Sequence, residues 1–156
     1  MDWFFQLISN RFLITGVSSW FLAQVLKTII HAVINRKFVL ERMVGDGGMP
    51  SGHSATVTSL AAISALTYGF DSHQFAVTAL LAIIVCHDAM GVRLETGKQA
   101  MILNELVKAF EELNSEDLPE VKLKEFVGHT PIQVIAGILL GIANSIAMHF
   151  WIFPLF

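Results

Sequence analysis

The chain has one cysteine, one tyrosine and four prolines in 156 residues, and only 15% of it is charged. A single cysteine, Cys86, excludes an internal disulfide and a thiolate metal cluster, and its apolar neighbours make it a packing residue. Lys and Arg number 10 against 13 Asp and Glu, a formal charge of −3, so the basic excess that a nucleic-acid partner needs is missing. There is no tandem repeat and no soluble second domain. No paired carboxylates or Cys/His cluster suggests a metal, and neither a metal nor a cofactor is expected. The N-terminus, MDWFFQLISNRFL, has an acid at position 2, no basic n-region and no small-residue cleavage site, which argues against a cleaved signal peptide. Trp3, Phe4 and Phe5 are expected to lie at headgroup depth instead.

What the chain does have is apolar bulk: 54% hydrophobic residues, twelve Phe and a mean hydropathy of +0.61. That is too apolar for an ordinary soluble domain and reads as an integral membrane protein. The expected fold is all-α, a polytopic bundle of four transmembrane spans with shorter interfacial or cytoplasmic helices, in a single domain over residues 1–156. The spans fall at about 12–34, 52–70, 74–90 and 130–153, each roughly the 20 residues that cross a hydrocarbon core. A helix over about 98–113 and a mobile acidic loop over 114–124 separate the third span from the last. Ser54, Ala55, Thr58, Ser59, Ala61 and Ala62 give the second span a small-residue face and predict a central position. Gly137 and Gly141 give the last span another, and such faces predict a homo-oligomer.

Against this background the polar stretch GGMPSGHSA, residues 47–55, needs a reason. Gly47 and Gly48 can adopt backbone angles closed to other residues, Pro50 fixes its own φ, and Ser51 can cap a helix beginning at Gly52. His53 then sits in the first turn of a helix whose free amides and partial positive charge suit an anion, phosphate above all. The plain alternative is a glycine-rich loop with a capping serine. A second polar group follows the third span, with His87, Asp88, Arg93, Lys98 and Asn104, and a third is Gly128-His129 before Pro131. Lys27 and His31 lie four apart on one face of the first span, where an ionisable residue either serves function or snorkels towards the headgroups. Counting four spans places all three polar groups on one side, with Lys27, Arg36, Lys37 and Arg42. By the positive-inside rule that side is cytoplasmic, leaving both termini outside.

Two histidines at helix starts, cations and glycine-rich backbone supply a nucleophile, a proton donor and a phosphate clamp, which is what phosphoryl transfer needs. With GGMPSGHSA (47–55), DAMGVRLETGKQAMILN (88–104) and VGHTPIQVIAGILLG (127–141), the chain resembles the phosphatidic acid phosphatase type 2 and vanadium haloperoxidase superfamily. Within it the likeness is to a divergent branch of small bacterial-type membrane proteins, and it covers nearly the whole chain. The resemblance implies a metal-independent phosphatase acting on a lipid phosphate or diphosphate in the bacterial cell membrane through a phosphohistidine. It implies His129 as the nucleophile and His53 as the acid that protonates the leaving oxygen, with Ser51 and Gly52 completing the second motif. Lys27 corresponds to the first-motif lysine. The first-motif arginine has no counterpart at Ile34, and Arg36 is the nearest candidate. The third-motif arginine is replaced by Leu123; Arg93 is the leading substitute, with Lys122 and Lys124 as lesser ones. The acid that orients the nucleophile is Gln133, leaving Asp88 or Glu125 to supply the charge. The alternative function is a non-enzymatic protein that binds or transports anionic phospholipid or isoprenoid phosphate headgroups.

Overall fold

The computed structural model describes residues 2–37, 43, 48–114, 123 and 128–155. These are helical, with no strand among them: α1 (Asp2–Ile8), α2 (Arg11–Asn35), α3 (Gly52–Tyr68), α4 (His73–Met90), α5 (Val92–Asn114) and α6 (Pro131–Ala147). A π-helical stretch, Met148–Ile152, and a 3-10 turn, Phe153–Leu155, prolong α6. The expected spans match α2, α3, α4 and α6 to within a few residues. Most of the acidic loop, together with Gly47, Arg42, Lys122, Lys124 and Glu125, lies outside the described residues.

Local signals account for most helix ends. Asn10 caps α2 by accepting from Phe12 and Leu13, Ser51 caps α3 by accepting from Ser54, and Ser72 caps α4 by accepting from Phe75. Proline opens α6, where its missing N–H is no loss. One boundary differs from expectation: α5 begins at Val92, directly after Gly91, rather than near Lys98. The segment between is helical because the Thr96 hydroxyl bonds back to the Val92 carbonyl at 2.8 Å and Lys98 pairs with Glu95 at 2.6 Å, local support that carries the helix through Gly97.

Three helices, Arg11–Asn35, Pro131–Ile152 and the stretch His73–Phe110 that contains α4, are long and apolar enough to cross a membrane. α3, at 17 residues or about 25 Å, is slightly shorter and occupies the centre, packed against α2, α4 and α6. Its interior is built from small and polar side chains: Ser54, Ala55, Ser59 and Ser64 are buried, and Ile63 is the one large apolar residue among its buried positions. Large hydrophobics such as Ile83, Ile84, Leu139 and Phe150 point outwards, the inverse of a soluble domain and what lipid as the outer solvent requires.

α3 and α6 run parallel from the same end and touch backbone to backbone. A Cβ on Gly137 would stand 2.5 Å from the Ser51 carbonyl oxygen, and one on Gly141 would collide with the Ala55 carbonyl and the Thr58 hydroxyl. One turn beyond Gly141 the Ser145 hydroxyl donates to the Ser59 carbonyl, midway along α3, at 2.9 Å. α2 joins through Asn144, whose amide donates to the Ser18 and Ser19 hydroxyls at 2.9 and 2.8 Å, and through Gly16, which admits Leu60. Arg11 lies over the Phe153 ring at 5.2 Å and ties the start of α2 to the end of α6. Replacing Gly137 by alanine is expected to force α3 and α6 apart and to destabilise the bundle by about 1–3 kcal/mol. Unfolding of the variant and the wild type in the same detergent measures this, and equal stability would mean that the helices do not approach this closely.

Candidate functional site

The site lies where the N-termini of α3 and α6 meet, and a few short-range bonds assemble it. The turn before α3 carries a left-handed Gly48 (φ +91) and a cis Met49–Pro50 peptide. The Ser51 N–H donates to the Gln133 carbonyl at 3.0 Å, which fixes the turn to the first turn of α6. The Ser51 hydroxyl, wholly buried, accepts from the Ser54 N–H at 3.3 Å and from the Ser54 hydroxyl at 3.0 Å. Ser51 therefore acts as cap and anchor. The Ala55 N–H reaches the Ser51 carbonyl, so the amides of Gly52 and His53 are the ones that helix geometry leaves facing out of the end.

The second helix start is held just as closely. The His129 N–H donates to the Ala89 carbonyl in the last turn of α4 at 3.0 Å, so three elements converge on this residue. The His129 side chain is buried at 3% exposure, whereas His53 is exposed. Their ring centres are 6.0 Å apart with the planes inclined at 60°. At that separation one phosphoryl group can lie about 3 Å from a nitrogen of one ring and within hydrogen-bond reach of the other. Two parallel helices presenting their positive ends to the same point strengthen the field that favours an anion there.

Gln133 sets the chemistry of His129. The Thr130 N–H, which can only donate, bonds Gln133 Oε1 at 3.2 Å and so fixes which end of the amide is oxygen. The same oxygen lies 3.2 Å from His129 Nδ1. With an acceptor there, Nδ1 must carry the proton and the lone pair falls on Nε2. The capping box of α6, Thr130 with Gln133, is thus also the tautomer lock of the buried imidazole. A glutamine does this as well as an acid, but it cannot stabilise an imidazolium by charge.

The cations divide. Lys27 is buried in α2, and its stem packs on Gly48, where a Cβ would be 3.1 Å from Cγ. It therefore belongs to the turn that carries His53. Arg36 is the left-handed C-cap of α2 (φ 51), exposed and nine residues beyond Lys27, about 13 Å along the axis, and the structure does not bring it to the turn. Arg93 is in the first turn of α5, four residues past Ala89 and across the break at Gly91, with its side chain outside the described ones. Asp88 is half-buried in α4 next to Ala89 and has a bonding partner. Lys98 is exposed and paired with Glu95, and Asn104 clamps Leu123 with two backbone bonds of 3.0 and 3.1 Å; neither joins the histidines.

Sequence reasoning missed two neighbours of the site. Trp20 lies against Gly52, with indole Cδ1 3.5 Å from where a Cβ would be, and covers the first turn of α3. Gln24, one helical turn before Lys27 and 6% exposed, lies on the same face of α2. The three-residue spacing to Lys27 was visible in the sequence, but an apolar run gives no reason to single out one glutamine.

The Divergent PAP2 family matches residues 8–144, and the chain belongs to it. It is also similar to the uncharacterized membrane protein YuiD of Bacillus subtilis (strain 168), 39% identical over 155 residues that cover 94% of this chain and 98% of the relative. No solved structure matches the chain.

The tautomer lock is open to direct observation. In ¹⁵N-labelled protein His129 is expected to show the Nδ1–H form as its neutral species. Replacing Gln133 with leucine should allow the Nε2–H form and cost about 1 kcal/mol through the lost cap. An unchanged His129 spectrum in that variant would refute the lock.

Proposed function

We propose, from membership of the Divergent PAP2 family and the facing histidines, that the protein is a metal-independent phosphatase for a membrane lipid phosphate or diphosphate, of isoprenoid or phosphatidate type. The observation that carries the proposal is the 6.0 Å pairing of His129 and His53 at two converging helix N-termini, with Nδ1 of His129 held by Gln133. Nε2 of His129 attacks phosphorus and the bond to the leaving oxygen breaks. His53 gives that oxygen its proton, releasing the lipid alcohol and leaving phosphate on His129. Water then attacks the phosphohistidine with His53 as base, and inorganic phosphate leaves. Lys27, with the amides of Gly52 and His53, balances charge on the equatorial oxygens, and Arg93 adds to it from α5. Among the described residues Asp88, beside the carbonyl that holds His129, is the carboxylate best placed to offset the missing acid at Gln133. The helix ends open the reacting centre to headgroups while Trp20 and the outer apolar faces meet the lipid chains. By the positive-inside rule the basic residues on the same side support a site on the cytoplasmic face of a bacterial cell membrane; the small-residue faces that suggested a homo-oligomer are instead taken up between α3 and α6.

One observation favours a second reading. Gln133 in place of a carboxylate gives the imidazole orientation without charge stabilisation, which is sufficient for a protein that only binds or transports anionic headgroups. Phosphate release in EDTA from lipid phosphates in mixed micelles separates the two. A phosphatase loses turnover by a factor of about 10³ or more in His129→Ala and gains it in Gln133→Asp, where a carboxylate can stabilise the imidazolium. A protein that never releases phosphate, and whose headgroup binding falls more in Lys27→Ala than in His129→Ala, is the binding protein.

A further inference from the structure

At the end of the bundle away from the histidines, the tip of α1, the start of α2 and the end of α6 enclose a cavity of about 380 Å³, lined by Ile8, Ser9, Arg11, Ile14, Ile152 and Phe153. From Pro131, beside His129, to Ile152 the chain is helical over 22 residues, about 30 Å, which is the thickness of a hydrocarbon core. The cavity and the histidines therefore stand at opposite faces of the membrane. At the cavity's end of the chain Trp3, Phe4 and Phe5 of α1 are exposed, as aromatic side chains at headgroup depth are, and no side chain of α1 is buried in the protein.

Chemically the cavity is one cation set in apolar walls. The Ser9 hydroxyl donates to the Phe5 carbonyl, so its proton is already used. The Arg11 guanidinium lies 5.2 Å from the centre of the Phe153 ring, a contact that positions the group and leaves its N–H donors available. No Asp or Glu lines the cavity, and Arg11 makes no ion pair among the described residues. We propose that the cavity docks one anionic phospholipid of the leaflet opposite the histidines, with its phosphodiester on Arg11 and the upper part of its chains against Ile8, Ile14, Ile152 and Phe153. Charge selects the occupant. Arg11 meets the phosphate of any phospholipid, but the ammonium of a zwitterionic headgroup finds no carboxylate in the lining, whereas a headgroup with net negative charge leaves nothing unanswered. Because Ile8 belongs to α1 and Ile152 and Phe153 to the extension of α6, the bound lipid joins α1 to the bundle, supplying the cover that the protein itself does not give that helix. The inference does not depend on what the histidine site does.

The test is competition between phosphatidylglycerol and phosphatidylcholine of equal chain length for the full-length protein in detergent, with retained lipid counted by native mass spectrometry and hydrogen exchange of α1 followed in parallel. Phosphatidylglycerol is a phosphodiester, so a phosphatase for lipid monoesters does not consume it. The expected result is retention of phosphatidylglycerol over phosphatidylcholine by about tenfold, falling towards unity in Arg11→Gln, kept in Arg11→Lys, which preserves the charge, and unchanged in Lys27→Ala. Exchange of α1 should slow on adding phosphatidylglycerol to the wild type and not to Arg11→Gln. A preference that survives Arg11→Gln, or that is lost in Lys27→Ala instead, puts the anion at the histidine site or elsewhere and overturns the proposal. Equal retention of the two lipids by the wild type overturns it whether or not any variant folds.

Discussion

The arrangement depends on one contact, the backbone approach of α3 to α6 at Gly137 and Gly141. In a bilayer there is little hydrophobic gain from bringing one apolar helix against another, so association rests on close packing and on polar bonds between helices. Here glycine lets the Ser51 and Ala55 carbonyls lie directly on the α6 backbone. The bond from Ser145 to the Ser59 carbonyl extends the contact by a further turn. Because the two helices are parallel and start at the same level, the contact that stabilises the bundle also sets two positive helix ends, and the histidine attached to each, side by side. Fold and site have one cause.

From that contact outwards, the site is held mainly by backbone. Ser51 and His129 are each fixed through their own N–H groups, to the Gln133 and Ala89 carbonyls. Gln133 is the hub: its carbonyl holds the turn before α3, and its side chain caps α6 and orients His129. Loss of its side chain therefore disturbs the tautomer and leaves the turn in place. Charge is sparse by comparison. Lys27 is the one cation whose described side chain packs against the turn; Arg36 is about 13 Å along α2 beyond it. Two helix N-termini in a medium of low dielectric can supply part of the positive field that side chains would otherwise provide.

The sequence was legible where a short rule applies. Apolar runs gave the spans, Ser51 and Pro131 marked the starts of α3 and α6, and the Gly137–Gly141 spacing marked a packing face, whose partner within the chain, α3, only the structure identifies. Span counting put His53 and His129 on one side of the membrane, but their pairing in one site was legible only by resemblance, since 76 residues separate them and no periodicity links the two. Other features were hidden. The start of α5 was obscured by Gly91 and Gly97, which read as a loop until the Lys98–Glu95 pair and the Thr96 back-bond are seen. The distance of Arg36 from the turn was not legible because spacing along a chain does not show that a helix carries a residue away from its neighbours at 1.5 Å per step. Gln24 was passed over because its burial beside Lys27 is a product of packing, which an apolar run does not show.

The central claim is that the α3–α6 contact holds His129 as a nucleophile, with its lone pair on Nε2, within reach of a phosphoryl group that His53 serves. The most direct measurement is rapid quenching of the protein with a ³²P-labelled lipid phosphate, followed by mapping of the labelled peptide. The account predicts an acid-labile, alkali-stable label on His129, absent from His129→Ala and prolonged in His53→Ala, where hydrolysis of the intermediate loses its base. Turnover with no label at His129, or a label on any other residue, would contradict it.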